Sequence, residues 1–105
     1  MGSVKVDSNG VPYWEQPIGT HWDYTVNWTT RMRSVSDTVV SAVWSVITSG
    51  IAFSSATHNA SGVHTMWCQP SAANAGATYY FTSKIFTTFG RVERARIKVD
   101  VVEWG

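Results

Sequence analysis

The residues best able to do metal or nucleophile chemistry in this chain are His21, His58, His64 and the lone cysteine, Cys68. His58 and His64 are separated by turn-forming residues, and Cys68 follows shortly after. Zinc ligands usually come in tighter pairs, two cysteines or two histidines a few residues apart. The spacing here fits solvated loop and strand histidines better than a His/His/Cys site. A Cys–His nucleophile would need a thiolate held by a neighbouring base or cation. Cys68 instead shares a strand face with Met66, the pattern of a small buried hydrophobe. Carboxylate pairs for glycoside hydrolysis would have to come from Asp7, Glu15, Asp23, Asp37, Glu93, Asp100 and Glu103. None is flanked by residues that would raise its pKa. A G-x-S-x-G elbow and a glycine-rich phosphate loop are both missing. The reading is therefore no enzyme, no metal and no cofactor.

Binding chemistry is better supplied. Six tryptophans are more than one core of a 105-residue chain needs, and tryptophan is enriched where proteins bind one another. Tyr13 and Trp14 stand on an N-terminal segment broken by Asn9-Gly10, Pro12, Pro17 and Gly19, with no sustained period. Aromatics on such a segment dock either on their own domain or on a neighbour. Carbohydrate-binding modules also expose aromatics, so sugar binding stays open beside protein contacts. Arg94, Arg96 and Lys98 form a stripe on alternate positions. Such charges discourage edge-to-edge strand aggregation, or they meet acidic partners or phosphates.

The elements that must position these groups are strands. Leucine does not occur, while there are fourteen valines and twelve threonines. β-branched and aromatic side chains suit a pleated, half-buried surface and lose rotamer freedom in helices. Trp22, Tyr24, Val26 and Trp28 alternate with Asp23, Thr25, Asn27 and Thr29, as a half-buried strand does. Arg31 to Ser36 is polar and reads as a loop, with Asp37 as a turn residue. Residues 38–47 form a nearly continuous apolar run in which either face could point inward, or which a partner could cover. Ile51 and Phe53 make a short strand before a polar connection, and Val63 to Gln69 alternates again. Thr78 to Thr88 is the clearest strand, with Tyr79, Phe81, Ser83, Ile85 and Thr87 opposite Tyr80, Thr82, Lys84, Phe86 and Thr88. After a turn at Phe89-Gly90-Arg91 the last strand starts at Val92, with Ala95, Ile97, Val99 and Val101 inward.

About seven short strands punctuated by Gly, Pro, Ser and Asn predict an all-β antiparallel sandwich over 22–105, preceded by an extended arm over 1–21. Net charge is +1 and charged residues are 14% of the chain, below the roughly 25% usual in soluble domains. That balance lacks the basic surplus of a nucleic-acid binder. No run of eighteen apolar residues offers a membrane span.

Several segments, taken in order, resemble a known family. They are Asp23-Tyr24-Thr25-Val26-Asn27-Trp28-Thr29, Asp37-Thr38-Val39-Val40-Ser41 with Trp44-Ser45-Val46, Ser49-Gly50-Ile51 and Thr65-Met66-Trp67. Gly76-Ala77-Thr78-Tyr79-Tyr80-Phe81 and Ile85-Phe86-Thr87-Thr88-Phe89-Gly90-Arg91-Val92-Glu93-Arg94 follow. Together, over roughly 22–101, they are similar to the small immunoglobulin-like proteins of tailed bacteriophages known as fiber-tail adaptors. The stretch around 66–77 departs from the family's glycine-rich pattern, reading Trp67-Cys68-Gln69-Pro70-Ser71-Ala72-Ala73, and the N-terminal arm is longer. The resemblance implies an immunoglobulin-like fold and a structural place in the virion, at the tail or neck. Its partners would be other phage proteins of the tail, neck or fibre, met in a homo-oligomeric ring, with no catalysis, cofactor, nucleic acid or membrane. It further implies Tyr79 as a corner tyrosine bonded to nearby backbone, and Trp44, Phe81, Ile85, Ile97 and Val99 as core. Tyr13, Trp14 and Trp104 then stand as intersubunit anchors, and Arg31 and Arg33 as loop cations for acidic groups on a neighbour. A capsid decoration protein of the same fold and a carbohydrate-binding or adhesin module are the competing readings.

Overall fold

Alternating apolar and polar residues bury one face of each strand, and two such faces closed on each other make the core. The computed structural model describes residues 5–6, 12–47 and 50–103. In chain order its elements are β1 (Lys5–Val6), β2 (Pro12–Pro17), β3 (Trp22–Asn27), α1 (Thr29–Ser34), β4 (Val39–Val46) and β5 (Ala52–His58). Then come β6 (Val63–Gln69), a 3-10 turn at Ala72–Asn74, β7 (Thr78–Thr87) and β8 (Val92–Val102). One sheet has the order β1-β2-β8-β7-β4 and the other the order β3-β6-β5. Neighbours run antiparallel except β2 and β8, which are parallel with Tyr13 opposite Lys98 and Glu15 opposite Asp100. The molecule is thus an all-β, two-sheet sandwich.

Tyr24, Met66 and Cys68 from the smaller sheet meet Trp44, Tyr79, Phe81, Ile97, Val99 and Val101 from the larger one. Fully burying a side chain of this size stabilises the fold by about 1.5–3 kcal/mol. A second cluster of Met32, Val39 and Ile85, flanked by Trp28, Val35 and Ala42, closes one end of the sandwich. It accounts for the first correction to the sequence reading. The segment from Arg31, expected as loop, lies largely within α1, because Met32 is pulled into this cluster and drags its neighbours into a helical turn. Six residues are too few to display a helical period, so composition alone reads them as polar coil.

The second difference concerns the N-terminal segment. Residues 12–17 form strand β2 of the larger sheet, hydrogen-bonded along β8. Pro12 and Pro17 sit at its two ends, where a missing N–H costs least. Gln16 locks this strand to the opposite sheet although it is fully buried and polar. Its Nε2 donates to the Cys68 carbonyl at 2.9 Å and to Thr20 Oγ1 at 3.1 Å, and its Oε1 accepts from the Tyr24 hydroxyl at 2.7 Å.

Tyr79 is buried at the start of β7, but its hydroxyl accepts from Asn74 Nδ2 at 2.9 Å and so meets a side chain where backbone was expected. The same amide donates to the Gly50 carbonyl at 3.0 Å, tying three connections together. Gly62 is required where it stands. Its φ is +113°, and a Cβ there would lie 2.9 Å from Trp28 Cβ.

Candidate partner interface

The sheet register decides what the outer surface offers. With Ile97, Val99 and Val101 of β8 and Phe81, Ser83 and Ile85 of β7 buried, the residues between them face outward. Across β2, β8 and β7, Glu15, Asp100 and Thr78 form one row, and Tyr13, Lys98 and Tyr80 form the next. Arg96, Thr82 and Ser45 follow across β8, β7 and β4, and then Arg94, Lys84 and Val43. Four of the chain's eight cations therefore stand on one face. Lys98 Nζ lies 5.1 Å from the Tyr13 ring centre, Arg96 Cζ 5.5 Å from that of Tyr80, and Lys84 Nζ 5.2 Å from that of Phe86. These contacts set the cationic groups themselves against aromatic faces.

Of the stripe Arg94, Arg96, Lys98, only Lys98 is flanked by strands on both sides. Strand β2 pairs with β8 from Lys98 to Val102, so among the described residues Arg94 and Arg96 stand where β8 pairs with β7 alone, and their charges discourage further pairing there. An uncharged edge of the same sheet is β4, where Val40, Val43 and Ile47 are 60%, 46% and 63% exposed. Only one face of that apolar run is buried, by Val39 and Trp44, and a register shift interrupts its pairing with β7 between Val39 and Ser41.

The residues singled out from sequence fall in three places. Tyr13 is on the outer face, beside Lys98. Trp14, one residue on, points the other way and packs on the core, its ring edge-on to Tyr24 with centroids 5.1 Å apart. Arg31 and Arg33 lie on α1 at one end of the sandwich, where Arg31 pairs with Glu93 and Arg33 is exposed. Trp104 lies outside the described residues. The structure thus separates these positions: Tyr13 belongs to the sheet face, the two arginines to the end cap, and Trp14 largely to the interior. Sequence reasoning missed Lys84 as a partner of the arginine stripe. Its parity with Tyr80 and Phe86 was visible, but the offset of β7 against β8 was not.

The titratable groups inside the sandwich are built as structure. Burial pushes the Cys68 thiol up to about 12, so it stays protonated. Burial, and then the nearby thiol and Asp23, raise Tyr24. His64 is held down to about 4, by burial first and His58 second. Its Nδ1 is 2.7 Å from Ser83 Oγ, which also accepts from Trp28 Nε1 at 3.1 Å, and its ring stacks on Trp44. Asp37 loses solvation, which raises its pKa, but bonds from Thr87, the Thr38 N–H, Arg91 and the Phe89 N–H outweigh that and hold it low. Its contact with Arg91 at 2.9 Å pins the β7–β8 hairpin to the start of β4. Among the described residues no three histidine, cysteine or acidic groups converge as a metal site. No helix among them is long and apolar enough to cross a membrane.

A cationic sheet face, an apolar edge and a core in which Cys68 and His64 are buried belong to a small β-sandwich module. Residues 17–100 match the family described as podophage GP4 fiber-tail adaptor protein gp77, and the chain belongs to that family. No curated protein matches the sequence. Among solved structures, the endo-fucoidan hydrolase MfFcnA4 from glycoside hydrolase family 107 is similar in fold, with a TM-score of 0.57 at 14% identity. The match covers 89% of this chain and 13% of that one, so the chain spans a small part of the enzyme's length. At that identity the likeness is one of fold alone.

Proposed function

We propose that this chain is a non-enzymatic structural component of a phage virion, an adaptor at the tail or neck that links tail machinery and fibres. The observation that carries the reading is the family match over 17–100, which spans both sheets. The domain is read as immunoglobulin-like, with a short N-terminal extension whose strand β2 is added alongside the last strand. The sheet orders support this, since β4-β7-β8 and β3-β6-β5 correspond to the two sheets of the immunoglobulin sandwich. Trp44 on β4 and Tyr79 at the start of β7 stand where that fold keeps its core tryptophan and corner tyrosine.

The adaptor acts through protein–protein contacts and is arranged as a homo-oligomeric ring. Tyr13, Arg31, Arg33 and Trp104 remain its proposed contacts, with Trp14 contributing through the packing that holds β2. Because Trp14 also packs on the core, Tyr13→Ala is the cleaner test of that segment. The experiment that tests the function is peptide mass spectrometry on purified particles separated into tails and tailless heads. Recovery with tails supports the adaptor. Recovery with heads alone means a decoration protein of the same fold, and absence from both contradicts a virion role.

A further inference from the structure

We propose that the outer face of the larger sheet, centred on Lys84, Arg94, Arg96 and Lys98, docks a carboxylate-rich surface of a partner protein. The proposal rests on the adaptor reading and names the chemistry of one contact within it. Three observations carry it. The first is an arrangement that works against the isolated fold: Lys84 and Arg94 are direct cross-strand partners, and like charges so placed are destabilising. The second is that Lys84 and Lys98 stand where their strands are flanked on both sides, so edge protection gives no reason for these two cations. The third is that, among the described residues, none of the four is paired with a carboxylate, whereas Arg31 and Arg91 are.

The face also favours a protein over a phosphate backbone. Glu15 and Asp100, in the row next to Lys98, repel any anion and so bound the docking area on that side. On the other flank Val43 and Ile47 supply exposed apolar surface. Carboxylates at alternate positions of an extended segment, roughly 7 Å apart, would match Arg94, Arg96 and Lys98 in succession. Positive rows meeting a negative surface set orientation and speed encounter.

The test is an NMR titration of the labelled full-length chain with poly-L-glutamate, and separately with duplex DNA. Shifts are expected to centre on Lys84, Arg94, Arg96 and Lys98 and to fade with added salt. Arg94→Glu with Arg96→Glu is expected to weaken poly-L-glutamate binding by at least about tenfold, while Arg31→Glu with Arg33→Glu changes it by less than about twofold. Lys84→Glu, which sets a carboxylate opposite Arg94, gives the same reading should the double reversal fail to fold. Shifts centred on α1, or unchanged affinity in a folded reversal variant, would overturn the proposal. Tighter binding of duplex DNA at the same residues would overturn it in favour of a phosphate ligand. Failure of the adaptor reading looks different: the unaltered chain would be missing from purified particles. Failure of this proposal would leave the reversal variants in particles at normal occupancy.

Discussion

Strands β4 and β8 belong to one sheet and differ in the charge they carry. Strand β8 pairs with β7 along most of its length and with β2 only from Lys98 on, and it carries Arg94, Arg96, Lys98 and Asp100. Strand β4 is at an edge, where exposed backbone invites further pairing, yet Val39–Val46 holds no charged residue. A protein that had only to remain monomeric would charge β4 as well. The irregularity between Val39 and Ser41 is the one blunting device at that edge among the described residues. An uncharged edge on β4, and cations at Lys84 and Lys98 that no edge requires, suit surfaces meant for neighbours more than surfaces meant for water.

The largest effect that sharpens this comparison is on the inward side of β4. Trp44→Ala is expected to cost about 3–5 kcal/mol in urea unfolding, since it empties the space the indole fills in the core against the His64 ring. Its outward neighbour Val43→Thr is expected to stay within about 0.5 kcal/mol. Comparable losses at both positions would mean that the two faces of β4 are not distinct. On the flank of β8, Gln16→Ala is expected to cost about 2–3 kcal/mol, because it strands the buried Tyr24 hydroxyl and the Cys68 carbonyl. Amide exchange in β2 should speed up more than in β7.

A smaller effect follows from pH. His64 stacks on Trp44 of β4 and is held neutral, down to about 4 against an ordinary 6.5. Between those values the unfolded chain takes up a proton that the folded chain refuses. Stability therefore falls as pH is lowered through that window and is level above it. Urea midpoints measured across the window check this, and His64→Leu should remove the slope that this residue contributes. The smallest effect is on β7. Lys84→Glu is expected to stabilise by up to about 1 kcal/mol by replacing a like-charge pair with an opposite one. A lower melting temperature in that variant would contradict the account of the cationic face.

Much of this fold is legible in the sequence because period-2 alternation is a local property. Met66, Cys68, Ile97, Val99 and Val101 fall inward as their spacing predicts, and Trp44, Phe81 and Ile85 as the family resemblance implies. Segment 12–17 hides because its prolines and mixed polarity mask a strand whose partner, β8, lies at the far end of the chain. The helix hides because only Met32 anchors it. The partner surface is legible only in halves. Alternation puts Lys84 outward on one strand and Arg94 outward on the next, but pairing them needs the register that the hairpin sets. Likewise the charged stripe reads as edge protection throughout until the register places Lys98, unlike Arg94 and Arg96, between two strands.

Light scattering gives the mass of the purified chain, alone and mixed with isolated tail and neck proteins, at low and high salt. A discrete complex with one of those proteins is expected at low salt, weakened at high salt and in Arg94→Glu with Arg96→Glu. A monomer that ignores every virion protein under both conditions would contradict the adaptor reading.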